Sequence, residues 1–455
     1  MNLRRLVKKI VPINLFSKIE PYGHWIEAIF AQVIYRFPAR KLKVIGVTGT
    51  DGKTSTSTLI HNMLVSNGLK AAMMTTISID FGDGNGSIPN PTRLTTVNAF
   101  ALAKSLTKIK KSGVEWLVLE TTSHSLAQHR VWGVPYSIAV MTNIHHEHLD
   151  YHKTFANYLN AKRQMFVLTN SNKNGFRTGI INAEDENAGK FINSIKNPIT
   201  YGIKKGDILA KNIKLTPSGS SYEAEIMDDK YQIKCNLPGS FNVFNSLAVI
   251  LVGRTIGLNK KQIEQGIASL KSVEGRMTYV DEGQDFGVIV DYAHTPDSFE
   301  VIFSEIRKMV KGKIICVFGS AGRRDEAKRS EQGRIAGKLC DIVIATEEDD
   351  RDIDGNEILD QIASGAVKSG KQINKDLFLI HDRNQAIKYA IDNAKSGDIV
   401  VLLGKGHEKS ILTNGPQAES LRHLPQDDTD PRRVVKLDFD EVESARKYLK
   451  IRLNS

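Results

Sequence analysis

The segment Thr-Gly-Thr-Asp-Gly-Lys-Thr, residues 48–54, restricts the fold of this chain more than any other feature. It follows an apolar, β-branched run over residues 41–48 and precedes a helical pattern that begins at Thr54 and stops at Gly68. Glycines let the backbone approach an anion, amides at a helix N-terminus face it, and the lysine neutralises its charge. Although the common GxxxxGK[ST] spacing is not met, the segment predicts a phosphate-binding loop rather than an ordinary glycine turn.

Predicted strands alternate with predicted helices through the first half of the chain. Shorter alternating segments with turn residues, between about residues 198 and 238, predict an antiparallel flap, and helical patterns return from Asn242 to Leu270. The pattern predicts an α/β fold, with a central phosphate-loop ATPase domain built on a mostly parallel sheet. The runs that predict its strands are residues 41–48, 115–120, 137–143 and 179–182.

A second α/β alternation begins after Gly275 and predicts a C-terminal Rossmann-like α/β domain that closes with a helix near residues 440–449. Its predicted strands are residues 287–292, 313–319, 341–346, 377–380 and 398–404. We therefore expect three parts: a short basic and aromatic helical segment (1–41), a central ATP-binding domain (42–273) and a C-terminal domain (274–455).

Charge and cysteine content narrow the functional classes. The 62 Lys and Arg exceed the 51 Asp and Glu by 11, which favours anionic partners such as nucleotides, phosphorylated substrates, nucleic acid or an acidic membrane surface. The three cysteines, Cys235, Cys316 and Cys340, are too few and too scattered for a disulfide framework or a CxxC metal site. No apolar run is long enough to span a bilayer and no signal peptide is evident, so we expect a cytoplasmic protein.

The first residues of the chain carry a basic amphipathic pattern. Cationic and apolar side chains interleave there at helical spacing, which allows peripheral contact with a membrane, although a short helix packed on the body of the protein is the commoner explanation. The cationic residues are Arg4, Arg5, Lys8 and Lys9, and the apolar ones Leu3, Leu6, Val7 and Ile10.

Several longer motifs follow the phosphate loop in a fixed order. They include Glu-Thr-Thr-Ser-His-Ser-Leu-Ala-Gln-His-Arg-Val (120–131), Thr-Asn-Ile-His-His-Glu-His-Leu-Asp-Tyr-His (142–152), Asp-Tyr-Ala-His-Thr-Pro-Asp (291–297) and Gly-Lys-Gly-His-Glu (404–408). From about Leu42 onward the chain resembles the Mur ligases, ATP-dependent enzymes that join amino acids to peptidoglycan precursors, and among these the UDP-N-acetylmuramoyl-tripeptide synthetases. The resemblance implies an acid–amino-acid ligase of cell-wall biogenesis that works through an acyl phosphate.

Physical roles follow for two residues without the resemblance. Glu120 ends a predicted strand at the same sheet edge as the phosphate loop, so it and Thr54 are placed to share one Mg²⁺. The histidines His145, His146, His148 and His152 taken alone suggest zinc, but without cysteines or a helical HExxH motif zinc is the weaker interpretation.

The resemblance implies ATP and Mg²⁺ as cofactors and assigns further residues. It makes Lys53, Glu120, His148 and Lys162 catalytic, Thr54, Glu120, His148 and Lys162 metal-binding, and Lys162 a carrier of a carbamate. It assigns ATP to Gly49, Thr50, Asp51, Gly52, Lys53, Thr54, Ser55, Asn242, Asn245, Arg276, Asp291, Tyr292 and His294, and implies a site between the two domains. The acceptor is assigned to Thr95, Thr96, Thr122, Gln128 and Arg130, and the amino acid to Arg324, Arg351, Gly404 and Glu408. Of these, Glu408 suits the ammonium of the amino acid and Arg324 suits its carboxylate.

Two departures from the family pattern leave the substrates open. The diaminopimelate-type signature Asp-Asn-Pro-Arg aligns with residues 348–351, where Arg351 is retained beside three carboxylates. These carboxylates would either form ion pairs with Arg351 or bind an ammonium of the substrate. Diaminopimelate and lysine therefore stay equally plausible as the amino acid. The phosphate loop also begins after about forty residues, too few for the family's uridine-binding domain. We therefore expect the usual uridine site to be absent, and the acceptor to be a lipid-linked precursor, a different peptide, or the usual nucleotide-linked precursor bound differently.

Two other classes of function remain at this point. One is a folate-type polyglutamate ligase, and the other is a non-enzymatic, ATP-switched binding protein. For the leading interpretation, a ligase, we expect a monomer that binds a small or lipid-linked precursor and an amino acid but no nucleic acid.

Overall fold

The computed structural model describes residues 13–90, 97–413 and 434–454. Contacts divide the chain into two compact units. The first contains the described residues up to 213 together with 221–235 and 241–270, and the second contains 214–220, 236–240 and the described residues from 271 onward.

Helices of the first unit lie between and after its strands. They are α1 (Ile13–Ile34), α2 (Lys53–Ser66), α3 (Ala99–Lys111), α4 (Ser123–Ala127), α5 (Leu149–His152), α6 (Phe155–Ser171), α7 (Ala188–Ile192), α8 (Phe241–Thr255) and α9 (Lys260–Ser269). The strands are β1 (Lys43–Thr48), β2 (Ala71–Met74), β3 (Ser78–Asp80), β4 (Ser87–Pro89), β5 (Trp116–Glu120), β6 (Tyr136–Met141), β7 (Thr178–Asn182), β8 (Asn197–Gly202), β9 (Ile208–Thr216), β10 (Gly219–Ile226) and β11 (Asp229–Cys235).

These strands form one sheet in the order β11-β10-β9-β8-β7-β6-β1-β5-β2-β3-β4. The pairs from β8 through β7, β6, β1 and β5 to β2 are parallel, and β3 and β4 add antiparallel strands at one edge. Strands β5 and β6 are buried along their whole length and β1 is buried from Val44 onward, as expected for a parallel sheet covered by helices on both faces.

The predicted flap over 198–238 is only partly correct. Its first strand, β8, pairs in parallel with β7 and, at its end, with β9, so it extends the central sheet. Only β9, β10 and β11 follow one another through short turns, as a flap would. The burial of β8 increases along the strand, from the exposed Asn197 and Pro198 to the buried Tyr201 and Gly202.

The second unit has its own helices and strands. The helices are α10 (Pro296–Met309), α11 (Ala327–Leu339), α12 (Gly355–Lys368), α13 (Arg383–Asn393) and α14 (Glu441–Leu453). The strands are β12 (Thr278–Tyr279), β13 (Gly287–Asp291), β14 (Ile314–Phe318), β15 (Ile342–Ala345), β16 (Leu377–Leu379), β17 (Ile399–Leu403), β18 (Ser410–Thr413) and β19 (Val435–Asp438).

Six of these strands form a sheet in the order β12-β13-β17-β14-β15-β16, parallel except for β12. Strands β18 and β19 form a separate antiparallel pair. The apolar face of the larger sheet packs against α13 and α14, with Ile387 and Leu449 fully buried. The predicted α/β fold class is confirmed, with a mostly parallel sheet in each unit. No helix within the described ranges is long and apolar enough to cross a membrane.

Candidate active site

Three loops meet at one edge of the first sheet because β1 lies between β5 and β6 and is parallel to both. The register places Val47 opposite Glu120 and Thr48 opposite Met141. The phosphate loop after β1, the carboxylate that ends β5 and the polar loop after β6 therefore lie side by side.

Gly49 and Gly52 of the phosphate loop have no room for a side chain, and the backbone conformation of Gly52 also favours glycine. A Cβ on Gly49 would lie 1.8 Å from the hydroxyl oxygen of Thr142, and one on Gly52 would lie 2.6 Å from Asn245 Oδ1. Gly52 also has a φ of +77°, in the left-handed region that favours glycine. A larger residue at either position would displace the loop from its supports.

The loop after β6 holds the phosphate loop in place. Thr142 donates from its hydroxyl to the Asp51 carbonyl at 2.6 Å, and the Asp51 amide donates to Asn143 Oδ1 at 2.8 Å. Analysis of the sequence did not single out Thr142 or Asn143, although both belong to the 142–152 motif. Their presence after a strand, within a resembling motif, was the available signal.

The N-terminus of α2 carries a lysine and two buried hydroxyls. Lys53 Nζ donates to the Thr50 carbonyl at 2.6 Å, which folds its ammonium back over the loop. Thr54 and Ser55 are buried in the first turn of the helix. A cation and helix amides at one point form a site suited to an anion such as phosphate.

Glu120 is buried at this edge of the sheet and is surrounded by oxygen-bearing groups. It accepts hydrogen bonds from the Thr54 hydroxyl at 3.0 Å and from the amide and hydroxyl of Thr76 at 3.1 Å each. No described lysine or arginine forms an ion pair with it. A buried carboxylate without a cationic partner, next to a hydroxyl, matches the oxygen ligands that Mg²⁺ prefers, so these residues fit a magnesium ion.

Lys162 lies on α6 and is 2% exposed. Its ammonium donates to the Gly49 carbonyl and sits 4.6 Å from the centroid of the Tyr158 ring. Burial, reinforced by the positive charge of Lys53, holds the pKa of Lys162 well below its usual value. Its amine is therefore more readily neutral, the form that can react with carbon dioxide.

His148 lies among other aromatic side chains at the start of α5. Its backbone is left-handed, with φ +55°, and its Nε2 is 3.5 Å from Glu147 Oε2. The rings of His148 and His152 lie 4.7 and 5.4 Å from that of His124. Among the described residues, the four histidines of this loop do not form a group that could hold a metal ion.

Helix α8 brings two amides to the phosphate loop. Asn245 Nδ2 donates to Asn242 Oδ1 at 2.8 Å, and Asn245 Oδ1 faces Gly52. Both asparagines are buried. The pair therefore lies beside the phosphate loop, and its assignment to ATP stays a prediction from the resemblance.

The predicted acceptor residues are only partly described. Thr95 and Thr96 lie outside the described residues. Thr122 caps the N-terminus of α4, because its side chain accepts a hydrogen bond from the Ser125 amide at 3.2 Å. Gln128 and Arg130 follow this helix; Gln128 is buried and Arg130 is half-buried. The Oε1 atom of Gln128 is buried without a hydrogen-bond partner.

In the second unit, the predicted nucleotide residues cluster where β13 ends. Asp291 accepts the amides of Met277 at 2.8 Å and Ala293 at 2.7 Å, and burial raises its pKa against the opposing charge of Arg276. The Tyr292 ring lies 4.8 Å from that of His294 and 5.9 Å from the Arg276 guanidinium. Burial lowers the pKa of His294, whose Nδ1 donates to the Tyr292 carbonyl at 2.9 Å.

Glu348 is buried where β15 and β17 end in the second sheet. Its Oε2 has no hydrogen-bond partner and lies 2.6 Å from the position of a Cβ on Gly404, whose φ is +105°. Burial raises the pKa of Glu348 to about 7. Sequence analysis noted this residue only as part of an acidic loop.

Lys405 was not identified from the sequence, although it organises the same region. Its buried ammonium contacts Asp349 Oδ1 at 2.9 Å and Glu408 Oε2 at 2.7 Å. Glu408, expected to bind a substrate ammonium, therefore has a cationic partner within the protein. The two residues stand at the ends of a turn in which the Glu408 amide donates to the Lys405 carbonyl at 2.8 Å, and the glycine between them was the available signal for that turn.

The remaining predicted amino-acid residues lie nearby. Arg351 has a φ of +58° and donates from Nη1 to the Gly322 carbonyl at 2.9 Å, while Arg324 is exposed. Two acidic neighbours of Arg351 contact other side chains: Asp349 contacts Lys405, and Asp350 contacts His381 at 2.7 Å. The structure thus does not show them occupying Arg351.

Comparison with known proteins places both units in one family. Residues 47–253 match the Mur ligase middle domain, and residues 275–406 match the Mur ligase glutamate ligase domain. The chain is 42% identical over 389 residues to the UDP-N-acetylmuramyl-tripeptide synthetase of Borreliella afzelii, an alignment that covers 84% of this chain and 76% of that protein.

A second relative and a solved structure agree. The UDP-N-acetylmuramoyl-L-alanyl-D-glutamate–2,6-diaminopimelate ligase of Bacillus cereus is 38% identical over 385 residues, covering 84% of this chain and 76% of the relative. A solved structure of a ligase with the same name superposes with a TM-score of 0.68 at 28% identity, covering 96% of this chain and 84% of the other. The chain therefore belongs to the Mur ligase family, whose members are ATP-dependent ligases that join an acid to an amino acid.

Proposed function

We propose that this protein adds a diamino acid to the carboxylate of a muramoyl peptide in the synthesis of peptidoglycan precursors. The observation that carries the proposal is the buried, cation-free Glu120 carboxylate, hydrogen bonded to Thr54 at the start of the phosphate-loop helix. This arrangement suits a nucleotide phosphate and its magnesium ion rather than a structural contact.

The reaction requires the terminal phosphate of ATP to be activated and positioned. In the proposal, an oxygen of the acceptor carboxylate attacks the γ-phosphorus, and the bond to the β-phosphate oxygen breaks to release ADP. The amine of the incoming amino acid then attacks the acyl phosphate, loses a proton and displaces inorganic phosphate, so that one acceptor oxygen leaves with the phosphate. Lys53 and the amides of residues 49–55 stabilise the charge on the transferring group.

Thr54 and Glu120 are proposed to hold one magnesium ion, and His148 and carbamylated Lys162 a second. When bound, the metal neutralises phosphate charge and orients the phosphoryl group. Carbamylation is supported by the burial and lowered pKa of Lys162, since a neutral amine can form the carbamate, which turns a buried cation into an anion.

Both units are proposed to contribute to nucleotide binding, with a central ATP-binding domain at 42–273 and a C-terminal domain at 274–455. In the first, Asn242 and Asn245 support the phosphate loop from α8. In the second, the cluster at the end of β13 combines the carboxylate of Asp291 with the aromatic ring of Tyr292, groups suited to a ribose and a base. The residues proposed there are Arg276, Asp291, Tyr292 and His294.

The acceptor is proposed to lie near α4, which Thr122 begins and Gln128 and Arg130 follow. The buried, unpartnered Oε1 of Gln128 supports a role in accepting a hydrogen bond from a bound peptide. The relatives' names specify a uridine-nucleotide-linked acceptor, which we propose here as well. Thr95 and Thr96 remain predictions from the family resemblance.

The amino acid is proposed to bind in the second unit, near Gly404. Arg324 and Arg351 would bind carboxylates, while Glu348 and Glu408 would face an ammonium. Because Lys405 already contacts Glu408, the unpartnered Glu348 is the better candidate for the side-chain amine. This favours lysine or a similar monocarboxylic diamino acid.

The proposal is tested by measuring ATP turnover and amide formation for nucleotide-linked and lipid-linked muramoyl dipeptides, each combined with lysine and with diaminopimelate. We expect turnover with the nucleotide-linked acceptor and a higher kcat/KM for lysine. Arg351→Ala, compared with wild type, separates the two amino acids: a selective loss for diaminopimelate would instead assign Arg351 to its second carboxylate. Turnover only with a folate would contradict the proposal.

A further inference from the structure

Helix α1 is apolar on two opposite sides, but only one of them is covered. On the inner side, Ala28 and Ala31 pack against Ala99 and Ala103 of α3 and are fully buried. Helices that are apolar all round are normally buried all round. The outer side of α1 therefore calls for an explanation.

The outer face of α1 consists of large apolar side chains at helical spacing. At 100° per residue these positions fall within an arc of about 120°. Phe30 and Ile34 are 59% and 62% exposed. Within the described part of the chain, 7 of the 19 exposed large apolar residues lie between residues 22 and 37, which is a concentration that marks an interaction surface. The outer face is Tyr22, Ile26, Phe30, Val33 and Ile34.

Cationic residues flank this face at its C-terminal end, where the structure describes their side chains. Residues 1–41 contain eight Lys and Arg and two Glu, so this short segment carries more than half of the net charge of the whole chain. At the C-terminal end of α1, Arg36, Arg40 and Lys41 are exposed. Glu27, the one acidic residue of α1 whose side chain the structure describes, is half-buried and lies 3.3 Å from His24.

We infer that the outer face of α1 and its cationic flanks bind the surface of an anionic lipid bilayer. The apolar side chains would enter the boundary between headgroups and acyl chains, while the Lys and Arg would contact anionic headgroups. Trp25 and Tyr22 at the edge and start of this face are residue types that favour the membrane interface.

Charge favours this occupant over a second copy of the chain. A symmetric dimer through α1 would bring two sets of cationic residues together, opposed among the described side chains of α1 only by the half-buried Glu27, which is unfavourable. A bilayer with anionic headgroups instead supplies an apolar layer and opposite charge in one surface. The inference does not depend on the reaction that the protein catalyses.

The experiment is flotation of the full chain with vesicles of phosphatidylcholine containing about one-third phosphatidylglycerol, compared with vesicles of phosphatidylcholine alone. We expect binding to the anionic vesicles that weakens as salt is raised to about 0.5 M. The combined variant Ile26→Gln, Phe30→Gln and Ile34→Gln should bind at least about tenfold more weakly. Met227→Gln, at a residue 92% exposed elsewhere in the chain, is the matched control and should bind like wild type.

Tryptophan fluorescence of the wild-type protein provides a second test of membrane binding, which does not depend on the folding of the combined variant. Trp25 is 40% exposed, whereas Trp116 is buried, so a blue shift on adding anionic vesicles that disappears in Trp25→Phe would place α1 in the interface. Equal binding of wild type and the combined variant would overturn the inference, as would no vesicle binding by wild type. Conversion of a wild-type dimer to a monomer by the three substitutions would assign the face to a second copy instead.

Discussion

Replacing Glu348 by glutamine should stabilise the protein above pH 7 while impairing its use of the amino acid. Glu348 is 7% exposed, and its Oε2 has no hydrogen-bond partner. Burial raises the pKa of this carboxyl from 4.5 to about 7. A shift of that size corresponds to a stability cost of about 3 kcal/mol.

The sign of this effect follows from proton linkage. Below pH 4.5 Glu348 is protonated in both the folded and unfolded states, so its raised pKa costs nothing. Between pH 4.5 and about 7 the unfolded chain releases the proton while the folded protein keeps it, so stability falls as pH rises, and above pH 7 the full cost remains. Glutamine does not ionise and removes this pH-dependent cost.

The assay is urea unfolding followed by circular dichroism between pH 4.5 and 8.5. The difference in free energy of unfolding between Glu348→Gln and wild type should be near zero at the lowest pH and approach about 3 kcal/mol at pH 8. Glu300→Gln, an exposed glutamate of α10, is the control and should show no such trend. The reasoning is refuted if the difference for Glu348→Gln does not change with pH. In addition, the KM for lysine should rise in this variant.

Three further substitutions test the chemistry and the packing. Glu120→Gln should lower magnesium-dependent ATP turnover by at least about 10³-fold without loss of fold, and a variant with wild-type turnover would remove the proposed metal site. Lys162→Ala should lose activity, and short carboxylic acids should partly restore it whereas bicarbonate should not. Wild-type protein labelled with ¹³C-bicarbonate should show a carbamate signal in NMR. Carbamylation would be contradicted if the variant stayed active and the wild type showed no such signal. Glu441→Gln should lower the free energy of unfolding by about 3–5 kcal/mol, because Glu441 forms a fully buried ion pair with Arg383, and urea unfolding close to that of wild type would show that the pair contributes little.

The phosphate loop and Glu120 were predictable because their placement follows from local rules. A strand, a glycine turn and a helix define the loop, and the carboxyl ends of neighbouring parallel strands must meet at one edge. The family resemblance added residues such as Asn245, which lies beside Gly52 in the structure. These features depend on backbone geometry that short segments of sequence determine.

The supporting side chains were harder to predict because they act across long stretches of chain. Thr142 holds the carbonyl of Asp51, 91 residues away, and Thr76 contacts Glu120, 44 residues away. Threonine in a loop has no pattern that identifies such a partner. Burial was equally hidden, since the acidic run that includes Glu348 is typical of a solvated loop.

The outward face of α1 shows a different limit. Residues 1–41 are predicted to be helical, and on one side of α1 Ala28 and Ala31 pack in a buried cluster. A helix sequence with aromatic and aliphatic residues on two sides does not show which side packs against the rest of the protein. That distinction required the structure.

Isotope transfer tests the central claim, ATP-dependent ligation through an acyl phosphate, most directly. The acceptor peptide is prepared with ¹⁸O in its reacting carboxylate and incubated with the protein, ATP, Mg²⁺ and lysine, and the released phosphate is examined by ³¹P NMR. The account predicts that each amide formed releases one phosphate carrying one acceptor oxygen. Amide formation with unlabelled phosphate, or ATP hydrolysis without amide, would contradict it.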